Sequence, residues 1–178
     1  MTTPDDPYQD RYLAHQRRKR DVLAALVYER HSERRFADSA VAPDALAALL
    51  DVVRLAPSSC DRKGVRALVI DDRDTLALLG GLLVGGVGWI HRAPAVLLLL
   101  ADRQAYKAGR EIEYMPFLDG GVVAGQLALA AEALGLKACF VNPNVRELHQ
   151  PLYRARFGDD EILCGAFAVG HPPGEGSA

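Results

Sequence analysis

Apolar residues recur along this chain in two kinds of pattern. Tyr8, Tyr12, Leu23, Leu26 and Val27 fall near one helical face, and the pattern runs out near Arg30. Asp6-Pro7 precedes it as a start signal: a capping acid, then a proline whose missing N–H the first turn does not need. This predicts one long helix or two consecutive ones. Pro43 opens a second helix with Leu46, Leu49, Leu50 and Val53 on its face. Asp74 to Leu83 reads as a short third. Asp119 to about Leu134 is the clearest helix, with Gly135 as its stop signal. Asn144 to Arg156 reads as the last.

Between the helices lie four short apolar runs: Val65 to Ile70, Ala95 to Ala101, Ala138 to Val141 and Ile162 to Val169. The second has no alternation, as expected of a strand buried on both faces. With so few strands among the helices, a layered α+β domain fits better than a large doubly wound one. Asp102 to Phe117 lacks a clear period and reads as irregular chain or a short mobile helix. Within it, Glu111, Glu113, Tyr114 and Phe117 read either as a lid or as a plain connection. The helix from Asp119 is small on one side, at Gly121, Ala124, Gly125, Ala128 and Ala131. Interior glycines cost helix propensity, and close packing against a second helix would account for them.

A chain of 178 residues suits a single domain over 1–178, here with a helical extension over 1–29 and a loose tail over 172–178. The formal net charge of −2 gives no global attraction for nucleic acid or an acidic membrane. The basic run Arg17-Arg18-Lys19-Arg20 reads as a solvated helix face. The N-terminus does not read as a signal peptide, and no apolar run reaches the ~20 residues of a membrane span. Cys60, Cys139 and Cys164 are far apart, with neither metal-ligand spacing nor a disulfide framework, which fits a cytoplasmic protein. The five histidines show no ligand spacing, so no metal is expected.

Two polar stretches stand out. Arg30-His31-Ser32-Glu33-Arg34-Arg35-Phe36 places three guanidiniums, an imidazole and a hydroxyl together where a helix ends. Guanidinium forks match phosphate oxygens and stay charged near neutral pH. A helix C-terminus repels anions, so the side chains would have to supply the attraction. A solvated basic turn is the plainer reading of this stretch taken alone. Ala56-Pro57-Ser58-Ser59-Cys60-Asp61-Arg62-Lys63-Gly64 is a loop at the edge of a strand, able to offer donors and acceptors to a planar heterocycle. Gly85, Gly86 and Gly88 do not form the G-x-G-x-x-G of a dinucleotide fold, and no P-loop, H-E-x-x-H or G-x-S-x-G is present.

The order of these pieces resembles the flavin-dependent nitroreductase family. R-H-S-x-R-x-F, a helix, A-P-S-S and a strand follow one another. The Asp119-Gly120-Gly121 helix with Leu134-Gly135-Leu136 and the final strand into Gly170-His171-Pro172 come after them. The resemblance covers roughly residues 22 to 172. It implies an α+β fold with a central mixed β-sheet flanked by helices, a homodimer, and FMN bound at the dimer interface. Arg30, His31, Ser32 and Arg34 would then grip the phosphate and ribityl chain. Pro57, Ser58, Ser59, Asp61 and Lys63 would lie along the ring. The segment Val141 to Asn144 would supply a backbone N–H to the flavin N5. Pro143 has no N–H, which leaves Asn142 or Asn144. The small-faced helix would be the dimer helix.

The implied activity is electron transfer from NAD(P)H through FMN to a small nitro- or quinone-like acceptor in ping-pong fashion, with no catalytic side chain because the cofactor carries the chemistry. The chain departs from the family at Asp61, Lys63, Gly64 and Val65, where asparagine and then glutamine-proline-tryptophan are usual. Ionised Asp61 only accepts hydrogen bonds, and Arg62 and Lys63 would put positive charge near the ring. The family's basic residues after G-x-P have no counterpart in Pro173 to Ala178, so one phosphate ligand is expected to be missing, with the N-terminal helix embracing the partner instead. These departures leave an alternative, a flavin-binding or sensory protein of the same fold with little turnover. Cys60 reads as inert, and Trp89 and His91 as packing and surface residues.

Overall fold

The computed structural model describes residues 7–174. Asp6, the expected helix cap, and residues 175–178 lie outside them. The chain forms two compact units, Met1–Arg30 and His31–Ala178. The first holds one uninterrupted helix, α1 (Pro7–Glu29), closed by a bond from the Arg30 N–H to the Leu26 carbonyl at 3.0 Å.

The second unit is built on a sheet. Its helices are α2 (Pro43–Leu55), α3 (Arg73–Leu82), α4 (Arg110–Ala133) and α5 (Gln150–Phe157). Its strands are β1 (Val65–Ile70), β2 (Ala95–Asp102), β3 (Lys137–Val141) and β4 (Glu161–Gly170), in the spatial order β1-β2-β4-β3. Every neighbouring pair among them is antiparallel. The expected mixed sheet is therefore corrected. Its one parallel feature among the described residues is an isolated bridge between Ser32 and Ala138 at the β3 edge. The pairing stops there because the next amides, of Arg34 and Arg35, both donate to the Glu33 carboxylate at 2.8 Å instead of to β3.

β2 explains why its sequence is apolar throughout. Leu97, Leu99 and Ala101 point into a core shared with Leu49 and Val53 of α2 and Val123, Leu127 and Ala131 of α4. Val96, Leu98 and Leu100 point the other way, toward Leu76, Leu79 and Leu82 of α3 and toward Trp89 and Ile90. Burying one such leucine contributes about 1.5–3 kcal/mol. The sheet thus carries α2 and α4 on one face and α3 on the other.

Two helices differ from the sequence reading. α4 begins at Arg110 and runs through Pro116, so Asp102 to Phe117 is not mainly irregular. Pro116 sits early in the helix, where it removes a single backbone bond. Asp119, which looks like a cap, is an interior residue 3% exposed. The last helix starts later than expected, at Gln150. Val145 is held extended by a bridge to Leu83, and Pro151 belongs only in a first turn. Of the small positions on α4, Ala124 and Ala131 face the chain's own core, while Gly121 and Gly125 meet nothing within 4 Å.

The close approach in this helix is instead at Gly120, where a Cβ would lie 2.5 Å from the Cys164 Cβ. Gly120→Ala should therefore lower stability by about 1–3 kcal/mol in urea unfolding through overpacking. Gly81→Ala on the open side of α3 should be neutral or gain up to about 1 kcal/mol from helix propensity.

Candidate functional site

The Pro57–Lys63 loop leaves α2, makes a 3₁₀ turn over Ser59–Asp61 and enters β1. Cys60, Asp61 and Lys63 all have φ of 52–53°. Non-glycine residues in that region cost free energy and persist only where the surroundings fix them. The fixing groups are visible. The Asp119 carboxyl accepts from the Ser59 N–H at 2.9 Å and the Ser59 hydroxyl at 2.8 Å through Oδ1, and from the Tyr106 hydroxyl at 3.0 Å through Oδ2. The Ser58 Oγ accepts from the Lys63 N–H at 2.8 Å. The Asp61 N–H donates to the Ser58 carbonyl and the Arg62 N–H to the Ser59 carbonyl. Burial and the Asp119 contact push the Tyr106 hydroxyl far above its ordinary pKa, so it stays a donor.

Charges around the loop are matched in pairs. Arg62 is ion-paired with Glu111 of α4 and lies 5.8 Å from the centre of the Tyr106 ring. Its bond to Glu111 raises its pKa further. The Lys63 Nζ donates to the Ala56 carbonyl at 2.9 Å and pairs with Asp61 at 2.9 Å. Asp61 is 82% exposed and Lys63 42%, so both remain open to a ligand. Glu111, read from sequence as part of a lid or a connection, is in fact the partner that ties α4 to the loop.

The basic stretch is organised by a different carboxylate. Glu33 accepts from the Arg34 and Arg35 amides, which is the main reason its pKa falls, and His31 lies 3.9 Å from it. The Glu33 N–H donates to the Ala138 carbonyl at 2.9 Å. Ser32 interacts with the Cys139 thiol, whose pKa burial raises. The Arg34 guanidinium stands 5.9 Å from the centre of the Trp89 ring, so Trp89 supports a cation besides packing. Arg30 closes the first unit. In the Val141–Asn144 segment, the Asn144 N–H is taken by the Asn142 Oδ1 at 3.1 Å, and the Asn144 carbonyl accepts from Val84.

The structure does not bring the two stretches together. Ser32 bridges to Ala138, which pairs with Val169; the loop enters Val65, which through Ala101 aligns with Ile162. Ile162 and Val169 are separated along β4 by roughly 23 Å at ~3.3 Å per residue. The loop also sits on the α4 face through Asp119, whereas Arg34 sits on the Trp89 face. They occupy opposite corners and opposite faces of one sheet.

The profile of the nitroreductase family matches residues 27–87 and 81–171. The chain belongs to that family. A protein of Desulfovibrio desulfuricans solved in complex with FMN, and named a nitroreductase, is 30% identical; the match covers 88% of this chain and 89% of that one, with a TM-score of 0.70. A nitroreductase family protein of Streptococcus pneumoniae shares the fold at 17% identity and a TM-score of 0.74, over 85% of this chain and 90% of that one. An FMN reductase [NAD(P)H] of Bacillus subtilis is 28% identical over 169 residues, covering 85% of this chain. The match spans only 66% of that relative's length. Among the described residues of this nitroreductase-family chain, no helix is long and apolar enough to cross a membrane, and no group of three or more His, Cys, Asp and Glu residues is placed to hold a metal ion.

Sequence reasoning missed Asp119, Tyr106 and Glu33 as parts of the site. Asp119 was singled out, but as the start of a helix. Asp119→Ala should orphan the Ser59 amide and the Tyr106 hydroxyl, at about 1–3 kcal/mol for each buried donor. The expected result is a lower urea midpoint together with faster hydrogen exchange confined to residues 57–63. A loop that exchanges as slowly as in the wild type would contradict the anchoring role.

Proposed function

We propose that this chain is an FMN-dependent NAD(P)H oxidoreductase acting as a homodimer, with each flavin held between two copies. The observation that carries the reading is the 30% identity, over most of the chain, to a protein solved with FMN. The donor set fits such a group. Arg34, His31 and the Ser32 hydroxyl form an exposed anion-binding stretch on the β3 edge. On the other stretch Asp61 can accept from a ring N–H while Lys63 offers its ammonium. When bound, FMN supplies the redox chemistry, taking hydride from NAD(P)H and passing electrons to a small electron-poor acceptor in two half-reactions.

The residues of this chain bind and orient. Arg34, with His31 and Ser32, takes the phosphate end. Pro57, Ser58, Asp61 and Lys63 border the ring, while Ser59 turns its donors inward and holds the loop's shape. For a backbone donor to the ring we assign the Asn142 N–H, because that of Asn144 already has a partner. Since one chain keeps the two stretches on opposite faces of its sheet, a second copy must complete each site. A two-fold pair completes both. The open flank of α4 suits that pairing: Leu118 and Val122 are 57% and 43% exposed beside the bare Gly121 and Gly125. Small residues between apolar ones let a second backbone come close.

Arg34→Ala should weaken FMN binding by roughly 10- to 150-fold in a fluorescence titration, since a charge-assisted hydrogen bond contributes about 1.5–3 kcal/mol. Its circular dichroism should match wild type. Unchanged affinity would contradict the phosphate assignment. The wild-type protein should purify yellow, bleach with NADPH or NADH and recover colour with a quinone. A yellow protein inert to both nucleotides would favour the sensory alternative.

A further inference from the structure

We propose that β1 pairs edge to edge with β1 of a second copy, antiparallel about a two-fold axis at Ala67. β1 pairs with β2 on one side and with no strand of the described residues on the other. Which backbone groups face outward follows from the ladder. The Asp102 N–H donates to the Gly64 carbonyl at 2.9 Å, and the register sets Val65 opposite Ala101 and Arg66 opposite Leu100. Bonded and non-bonded positions alternate along an antiparallel pair. Arg66, Leu68 and Ile70 therefore bond to β2, and the N–H and C=O groups of Val65, Ala67 and Val69 point away from it. No backbone group among the described residues meets them. Val65 and Ala67 instead border a groove of about 500 Å³ between β1 and α2, so the strand is open on this side.

Folded proteins protect a bare edge with proline, a bulge or a free charge. β1 has none of these. It reads Val-Arg-Ala-Leu-Val-Ile, its register with β2 is unbroken, and its one charge, Arg66, is tied to Glu161. A second copy fits because the strand is complementary to itself in this register. Rotation about Ala67 sets Val65 opposite the partner's Val69 and Ala67 opposite the partner's Ala67, so every outward N–H and C=O gains a partner. Arg66 falls opposite the partner's Leu68, and no like charges stand directly across from each other. Beyond the strand the same register places Lys63 opposite the partner's Asp71. Asp71 is exposed and has no ion pair among the described residues of its own chain. At the other edge of the sheet Ser32 bridges to Ala138 of β3 and the Glu33 N–H bonds its carbonyl, so the pairing closes at two strands and does not propagate.

This edge is a different surface from the α4 flank, so it joins two flavin-holding pairs into an assembly of four chains. The proposal goes beyond the flavin reading and shares only Lys63 with it. The test combines sedimentation equilibrium and hydrogen exchange on the whole chain as isolated. The Ala67 N–H points outward, so Ala67→Pro removes no bond to β2 and blocks only the open edge. The wild type should sediment at twice the mass of Ala67→Pro, with the same FMN content per chain. Wild-type amides of Val65, Ala67 and Val69 should exchange slowly although their own chain leaves them bare. In Ala67→Pro those of Val65 and Val69 should exchange roughly tenfold faster or more. Asp71→Lys, which leaves the strand untouched, should weaken the association roughly three- to tenfold. Should Ala67→Pro lose the fold, wild-type exchange at the three amides and the response to Asp71→Lys decide the matter. Equal masses for wild type and a folded Ala67→Pro would overturn the proposal, as would free exchange of the three wild-type amides or their protection by a different, co-purifying protein. A colourless protein whose mass still halves in Ala67→Pro would leave this pairing standing and remove the flavin reading. A yellow protein with equal masses would do the reverse.

Discussion

A single buried carboxyl sets the shape of the loop on which the site depends. Three residues between Cys60 and Lys63 adopt left-handed backbone that their side chains disfavour. Ser58 closes the loop on itself through the Lys63 and Asp61 amides, but these bonds tie the loop only to its own residues. Asp119 ties it to the fold, because it sits inside α4, out of water, and accepts from both the amide and the hydroxyl of Ser59. Tyr106 holds the other oxygen of the same carboxyl. In a low-dielectric interior such a network is rigid only when complete. The Arg62–Glu111 ion pair adds a second tie between α4 and the loop. The position of α4 itself is fixed by Gly120, whose missing side chain lets the helix approach Cys164. Loop conformation therefore follows from helix packing against β4.

Much of this architecture was legible in the sequence. The unbroken apolar run of β2 announced a strand buried on both faces, and Pro43, Gly135 and the order of the basic and A-P-S-S stretches marked real boundaries. What stayed hidden was the meaning of polar residues whose partners are distant in sequence. Asp119 has the residue type of a helix cap, and only the fold shows that its partners are Ser59 and Tyr106. Asp102 to Phe117 read as irregular chain or a short mobile helix, yet α4 begins at Arg110 and runs through Pro116. The antiparallel sheet was equally unreadable, because strand direction depends on long-range pairing and not on local pattern. Gly121 and Gly125 were correctly seen as needing a reason, but the chain's own core does not provide it.

The separation of the two polar stretches gives the sheet a functional consequence. A four-stranded layer packed on both faces cannot let Arg34 and Lys63 converge on one small ligand within the same unit. Residues that read as one site along the sequence stand apart, on opposite faces of the sheet. The proposed pairing of two copies joins them and gives the bare flank of α4 a neighbour. Stability, assembly and cofactor affinity then become linked, since ligand binding favours whatever state completes the site.

The most direct test of that account is complementation between two flavin-deficient variants, Arg34→Ala and Ser58→Trp. Each disables one half-site, and neither should retain FMN alone. Co-refolded in equal amounts, the mixed dimers should contain one site built from two intact halves. The mixture should then recover roughly a quarter of the wild-type flavin content, as the statistics of a two-fold dimer require. A mixture that holds no more FMN than its separate components, while sedimentation shows mixed dimers present, would contradict a flavin shared between two copies.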